Sequence, residues 1–148
     1  MNRKKNKQIL IVLIGIAIVS IYSMSIITYK DRTFVKELKY SYQNAVEFSI
    51  ENFERYMQDS TEESYWSGVA YVKVLPYLAE LMGTEETINI QLDNIELLNG
   101  LLVSEKVKGN KECIGKIINI LRKIENDLEK PTPYKEIRQI YNQYITVE

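Results

Sequence analysis

The chain has 148 residues, 45% of them hydrophobic, with 19 basic and 20 acidic side chains, one cysteine and no histidine. The absence of histidine excludes the commonest general base and the Ser-His and Cys-His nucleophiles, and a single cysteine excludes an internal disulfide and a cysteine-rich zinc or iron–sulfur site. The length suits one domain of about 100–150 residues with an accessory segment.

The N-terminal segment combines a basic tip with a long apolar run. Residues 1–8 carry four Lys or Arg side chains and no acid, and no further charge occurs before Lys30. Residues 9–28 are an apolar run that, as a helix, covers about 30 Å, the thickness of the hydrocarbon core of a bilayer. Because positive flanks stay in the cytoplasm, we predict a cytoplasmic tip at 1–8, a transmembrane signal-anchor helix in the lipid bilayer at 9–29 and an extracytoplasmic helical domain at 30–148.

A cleaved signal peptide is the rival interpretation of the same segment. Ser23 and Ser25 place small residues where a signal peptidase prefers them, and the chain is then secreted after cleavage near Ser25. The apolar run exceeds the ~7–15 residues of a typical signal-peptide core, which favours an uncleaved, single-pass anchor. Abundant Ile, Lys, Asn and Glu suggest a bacterial source. We therefore expect a cell-membrane protein whose C-terminal domain lies in the bacterial cell envelope.

Helical periodicity begins directly after this segment. Apolar side chains recur every three or four residues and predict a helix over 33–58. A polar break follows, in which Ser60 and Glu63 fit a capping box that starts a second helix over 61–82.

The second helix has an apolar stripe interrupted by a proline. Its members are Trp66, Ala70, Val74, Tyr77 and Leu81. Pro76 lies within this segment, and a proline inside a helix removes a backbone donor and clashes with the preceding turn. We expect a bend near residues 72–76, or two short helices.

Three further helices are predicted, at 85–103, 111–129 and 133–145. Gly83 suits the left-handed residue that ends the second helix, and Thr84 suits the N-cap of the third. Leu- and Ile-rich stripes with steps of three and four residues support each of these helices.

Strand signals are weak by comparison. Residues 87–92 alternate briefly and are the best strand alternative, and the polar residues 104–110 are predicted to be a connection. The expected fold class is all-α: a single N-terminal transmembrane helix followed by an antiparallel bundle of four to five amphipathic helices.

Aromatic residues concentrate in the two helices predicted at 33–58 and 61–82, which hold ten of the fifteen aromatic residues in the chain. Tyr and Trp dominate binding hot spots, so these helices offer a candidate groove for a ligand or partner. Its predicted residues are Tyr65, Trp66, Tyr42, Phe53 and Tyr77. The alternative, which we favour, is that these rings pack in the core while their hydroxyl groups reach solvent.

The lone Cys113 has two interpretations. As a free thiol outside the cell it could bridge two chains, but a single cysteine at the head of a helix is more often a small buried residue.

Catalytic patterns are weak. The pairs Glu62-Glu63 and Glu85-Glu86 could serve a carboxylate-based hydrolase, but both lie at helix starts, where the helix dipole already favours acids. We find no Ca²⁺ loop and no phosphate-binding glycine loop, and predict no catalytic residues, no metal ligands and no cofactor.

The expected function is therefore binding and not catalysis. Residues 30–148 carry a net charge of −5, which lacks the electrostatic footprint of nucleic-acid binding. We expect a non-enzymatic, membrane-anchored module that binds an envelope protein or a small ligand. The alternatives are a structural accessory subunit of an envelope complex and, least favoured, a carboxylate-based hydrolase.

Overall fold

A computed structural model describes the backbone of residues 3–82, 86–128 and 130–145, and the side chains of Ser20 and of residues 32–82, 91–128 and 130–145. Over these residues the chain forms six helices and no strand, which confirms the all-α class. The helices are α1 Arg3–Asp59, α2 Glu62–Met82, α3 Glu86–Leu102, α4 Glu105–Lys108, α5 Lys111–Asn126 and α6 Pro131–Ile145. Residues 87–92, the strand alternative, belong to α3.

The chain divides into two compact units, Met1–Glu37 and Leu38–Glu148. The first unit consists of the early part of α1, and the transmembrane prediction at 9–29 rests on side chains that, except for Ser20, lie outside the described residues. Among the residues that the structure does describe, no helix is both long enough and apolar enough to cross a membrane.

The second unit is a helical bundle around one hydrophobic core. All six helices contribute buried side chains, α4 through Val107 alone. Helix α3 packs against both α2 and α6, and α5 packs against α6. The largest fully buried side chains are Phe53, Tyr65, Leu75, Ile95, Leu98, Leu101, Leu102, Ile114, Ile117, Leu121, Ile124 and Tyr134. Because each such side chain contributes roughly 1.5–3 kcal/mol on burial, this core supplies the main stabilisation of the bundle.

The turn between α1 and α2 differs from the predicted capping box. Ser60 adopts a left-handed backbone with φ of 57°, and Thr61 is the N-cap because its Oγ1 accepts a hydrogen bond of 3.4 Å from the Ser64 amide. Asp59 Oδ1 accepts a hydrogen bond of 2.8 Å from the Thr61 amide, and this bond lowers the pKa of the Asp59 carboxyl. The helix start is therefore shifted by one residue, so Glu63 does not occupy the capping-box position.

Helix α2 runs without interruption from Glu62 to Met82 although Pro76 lies inside it. Of the two expected outcomes, a bend near residues 72–76 or two short helices, the division into two helices is therefore wrong. The proposed caps Gly83 and Thr84 lie outside the described residues.

The connections after α3 also differ from prediction. Residues 104–110 contain the one-turn helix α4, whose N-cap Ser104 accepts a hydrogen bond from the Lys106 amide. Helix α6 begins at Pro131, two residues before the predicted start. Proline suits the first helical position because that position needs no backbone donor.

Candidate interaction surface

The five residues of the predicted groove divide into a buried and an exposed group. Tyr42, Phe53 and Tyr65 are buried in the core, whereas Trp66 and Tyr77 are 38% and 69% exposed. These five side chains do not share one surface, because folding places them on different faces of α1 and α2. Core packing, the favoured alternative, describes the first three.

Tyr65 is a structural residue. Its hydroxyl donates a hydrogen bond of 2.5 Å to the carbonyl oxygen of Leu102, and its ring meets Phe53 and Tyr56 edge-on at centroid distances of 5.9 and 5.1 Å. Burial raises the pKa of its hydroxyl. The core alternative expected this hydroxyl to reach solvent. In the structure it reaches the buried carbonyl of Leu102 instead.

Tyr42 packs beside Tyr134 in the same core. Burial raises the pKa of Tyr42 well above its usual value and that of Tyr134 to about 12. The Tyr134 hydroxyl donates a hydrogen bond of 3.1 Å to the carbonyl oxygen of Leu128. The Tyr42 hydroxyl is buried and makes no hydrogen bond of good geometry. Both phenol rings are therefore part of the core.

Helix α2 is apolar on two faces. Its buried face is formed by Tyr65, Gly68, Val69, Val72, Leu75 and Ala79. Its exposed face carries the apolar stripe that the periodicity identified. We call this set of five exposed side chains the outer stripe; its members are Trp66, Ala70, Val74, Tyr77 and Leu81. Val74 and Leu81 are 44% and 58% exposed. The helix therefore packs into the bundle through one apolar face and presents a second one to solvent.

The apolar surface continues from α2 onto α1. The rings of Tyr71 and Phe48 lie 5.3 Å apart, and both are exposed. At the start of α2, the Lys108 ammonium group lies 5.4 Å from the centroid of the Trp66 ring and pairs with Glu62 at 2.7 Å. The hydrogen bond to Glu62 raises the pKa of Lys108. The ion pair with Glu62 holds the Lys108 ammonium group over the indole ring of Trp66. The resulting cation–π interaction favours one orientation of that ring.

Two opposite charges lie along one margin of the outer stripe. Lys73 and Glu80 are seven residues apart on α2, and both are exposed. They also line an open cleft of about 400 Å³ between α2 and α3, together with Pro76, Tyr77, Leu92, Glu96 and Asn99.

The described side chains that could ligate a metal ion are dispersed. Within the described ranges, no group of three or more His, Cys, Asp or Glu side chains is placed to hold a metal ion. Cys113 is buried, and burial raises the pKa of its thiol to about 11. The thiol is therefore protonated at neutral pH and poorly nucleophilic.

Sequence reasoning missed Phe48, Tyr71, Val74 and Leu81 as surface residues. A signal was present, since α2 carries a second stripe at helical spacing through Tyr65, Val69, Val72 and Ala79. A helix with two apolar faces in a small domain can bury one of them in the bundle and leave the other for solvent or a partner.

Comparisons of this chain with protein-family models, with curated proteins and with solved structures found no match.

Proposed function

We propose that this chain is a non-enzymatic, single-pass membrane protein whose helical domain binds another protein at the cell envelope. The observation that carries the proposal is the outer stripe of α2, in which five apolar side chains in succession remain exposed beside the exposed rings of Phe48 and Tyr71. Single exposed apolar residues are ordinary, but a contiguous apolar face on a folded domain is typical of an interaction site.

The chemistry of the acids supports binding over hydrolysis. Glu80 and Glu96 line the cleft between α2 and α3, and both side chains are exposed. A carboxylate hydrolase needs one acid in a desolvated pocket, where burial keeps it protonated for proton donation. Neither of these two acids has that environment.

The membrane part of the proposal rests on the sequence. The uncharged apolar run over 9–28 behind four cations favours insertion with the N-terminus in the cytoplasm. Membrane fractionation combined with protease treatment of intact cells tests it. We expect the full chain to sediment with membranes and to be cleaved from outside the cell. A full-length chain in the cytosolic fraction would overturn the anchor.

Photo-crosslinking in intact cells tests the contact surface. A photoreactive phenylalanine analogue is placed at position 74 or 77 in the outer stripe, or at position 103 as a control, because Val103 is an exposed apolar residue outside the stripe. We expect a discrete protein adduct from 74 and 77 and none from 103. Equal labelling from all three positions, or none, would overturn the outer stripe as the contact surface.

A further inference from the structure

We propose that the outer stripe is occupied by α2 of a second copy of this chain, packed antiparallel to form a two-fold symmetric dimer. This inference rests on the proposed function and names the partner of the same surface. It goes beyond that function because it commits to one occupant and one register.

The spacing of the outer stripe fits helix–helix packing. Ala70, Val74, Tyr77 and Leu81 follow steps of four, three and four residues, the repeat with which one helix inserts side chains between those of another. In an antiparallel pair that sets Ala70 opposite Leu81 of the second copy, Val74 falls opposite Tyr77 of the second copy. A small side chain then faces a large one in every layer, which packs without voids.

The charges select this direction of packing. Lys73 and Glu80 occupy equivalent positions on one margin of the stripe, and neither has an ion-pair partner in the described part of the chain. In the antiparallel register, Lys73 lies opposite Glu80 of the second copy, and symmetry repeats the pair. Parallel packing would set Lys73 opposite Leu78 and form no such pair. Flanking charges of this kind determine partner and orientation in paired helices.

The opposite margin is apolar and also matches itself. This margin carries Tyr71 and Leu78. In the antiparallel register, Tyr71 of one copy lies opposite Leu78 of the second copy, and the symmetry repeats the contact. Phe48 extends this margin through its contact with Tyr71. A two-fold interface needs such self-complementarity, because each residue meets its counterpart twice.

Charge reversal of full-length protein tests the register. The K73E chain has two carboxylates along the margin and the E80K chain has two ammonium groups, so each chain alone repels its own copy. Mixed together, the two variants restore both opposite-charge pairs. Sedimentation equilibrium of the full chain in mild detergent is suitable, because detergent covers the apolar run over 9–28 and keeps the full chain in solution.

We expect a wild-type dimer, roughly tenfold weaker self-association of each single variant, and recovery both in the equimolar mixture and in the K73E/E80K double variant. If the chains instead paired through residues 9–29, charge reversal at positions 73 and 80 would leave their self-association unchanged. The variants therefore distinguish the two modes of pairing. Because both residues are exposed, the variants retain the core, and circular dichroism verifies this.

Three results would overturn the dimer: a wild-type chain that stays monomeric, single variants that associate like wild type, or a mixture that stays monomeric. If such a result accompanies a crosslinked adduct that is not twice the 17.3 kDa of this chain, the proposed binding function stands and only the second copy is wrong. If no adduct forms from the outer stripe either, both proposals fail.

Discussion

The hydroxyl of Tyr65 donates a hydrogen bond of 2.5 Å to the carbonyl oxygen of Leu102, and both residues are fully buried. Leu102 is the last residue of α3, where backbone carbonyls have no partner within their own helix. A side chain near the start of α2 thus satisfies a carbonyl at the end of α3 and joins two residues that are 37 positions apart in the sequence.

Tyr65→Phe is expected to lower the free energy of unfolding by about 1–2 kcal/mol, because it leaves a buried carbonyl without a donor. Urea unfolding of the full chain in detergent, followed by circular dichroism, measures the loss. An unchanged midpoint would show that water replaces the lost hydroxyl.

Tyr42→Phe is the matched comparison. The Tyr42 hydroxyl is buried and makes no hydrogen bond of good geometry, so its removal relieves a desolvated polar group. We expect stability to stay the same or to rise by up to about 1 kcal/mol in the same urea assay. A loss equal to that of Tyr65→Phe would show that the hydroxyls of Tyr42 and Tyr134 form a stabilising hydrogen bond.

Gly68→Ala is expected to destabilise the bundle by about 1–3 kcal/mol through overpacking. A Cβ at this position would lie 2.8 Å from the ring of Phe53, which is fully buried, so the ring or the backbone must shift. The control is Gly115→Ala in α5, where a Cβ meets nothing within 4 Å. There alanine should stabilise the helix by up to about 1 kcal/mol. Equal effects of the two substitutions in thermal unfolding would contradict the close contact between α1 and α2.

Stability is expected to fall in alkaline solution. Burial raises the pKa of Tyr134 from 10.0 to about 12 and also raises that of Tyr65 and Tyr42. The unfolded chain loses these protons near pH 10 while the folded chain retains them. The stabilisation is therefore complete below about pH 10 and is lost as the pH rises toward about 12. Urea unfolding across this range measures the decline, and Tyr134→Phe should make it shallower.

Cys113 is expected to react slowly with thiol reagents in the folded chain. It is buried, and the pKa of its thiol is raised to about 11, so little thiolate is present and access is poor. The reaction rate should increase greatly in denaturant. Fast labelling of the native chain, or a disulfide-linked dimer under oxidising conditions, would show that this part of α5 opens.

The sequence by itself determined the helical class and much of the core. In α5, the stripe of Ile114, Ile117, Leu121 and Ile124 predicted the buried face, because only one side of that helix is apolar. Local turn geometry was harder to predict. Ser60, Thr61 and Asp59 all have side chains that can cap a helix, and small differences in backbone conformation decide which of them does so.

The burial of α2 was decided only by tertiary structure. This helix has two apolar faces at helical spacing, and the sequence analysis identified the outer stripe, whereas the structure buries the other face. Periodicity alone does not distinguish the two faces. Packing selected the other face, where the missing side chain of Gly68 admits the ring of Phe53 and where Tyr65 reaches the end of α3. Burial depends on the shape that neighbouring helices present, and that shape exists only once the chain has folded.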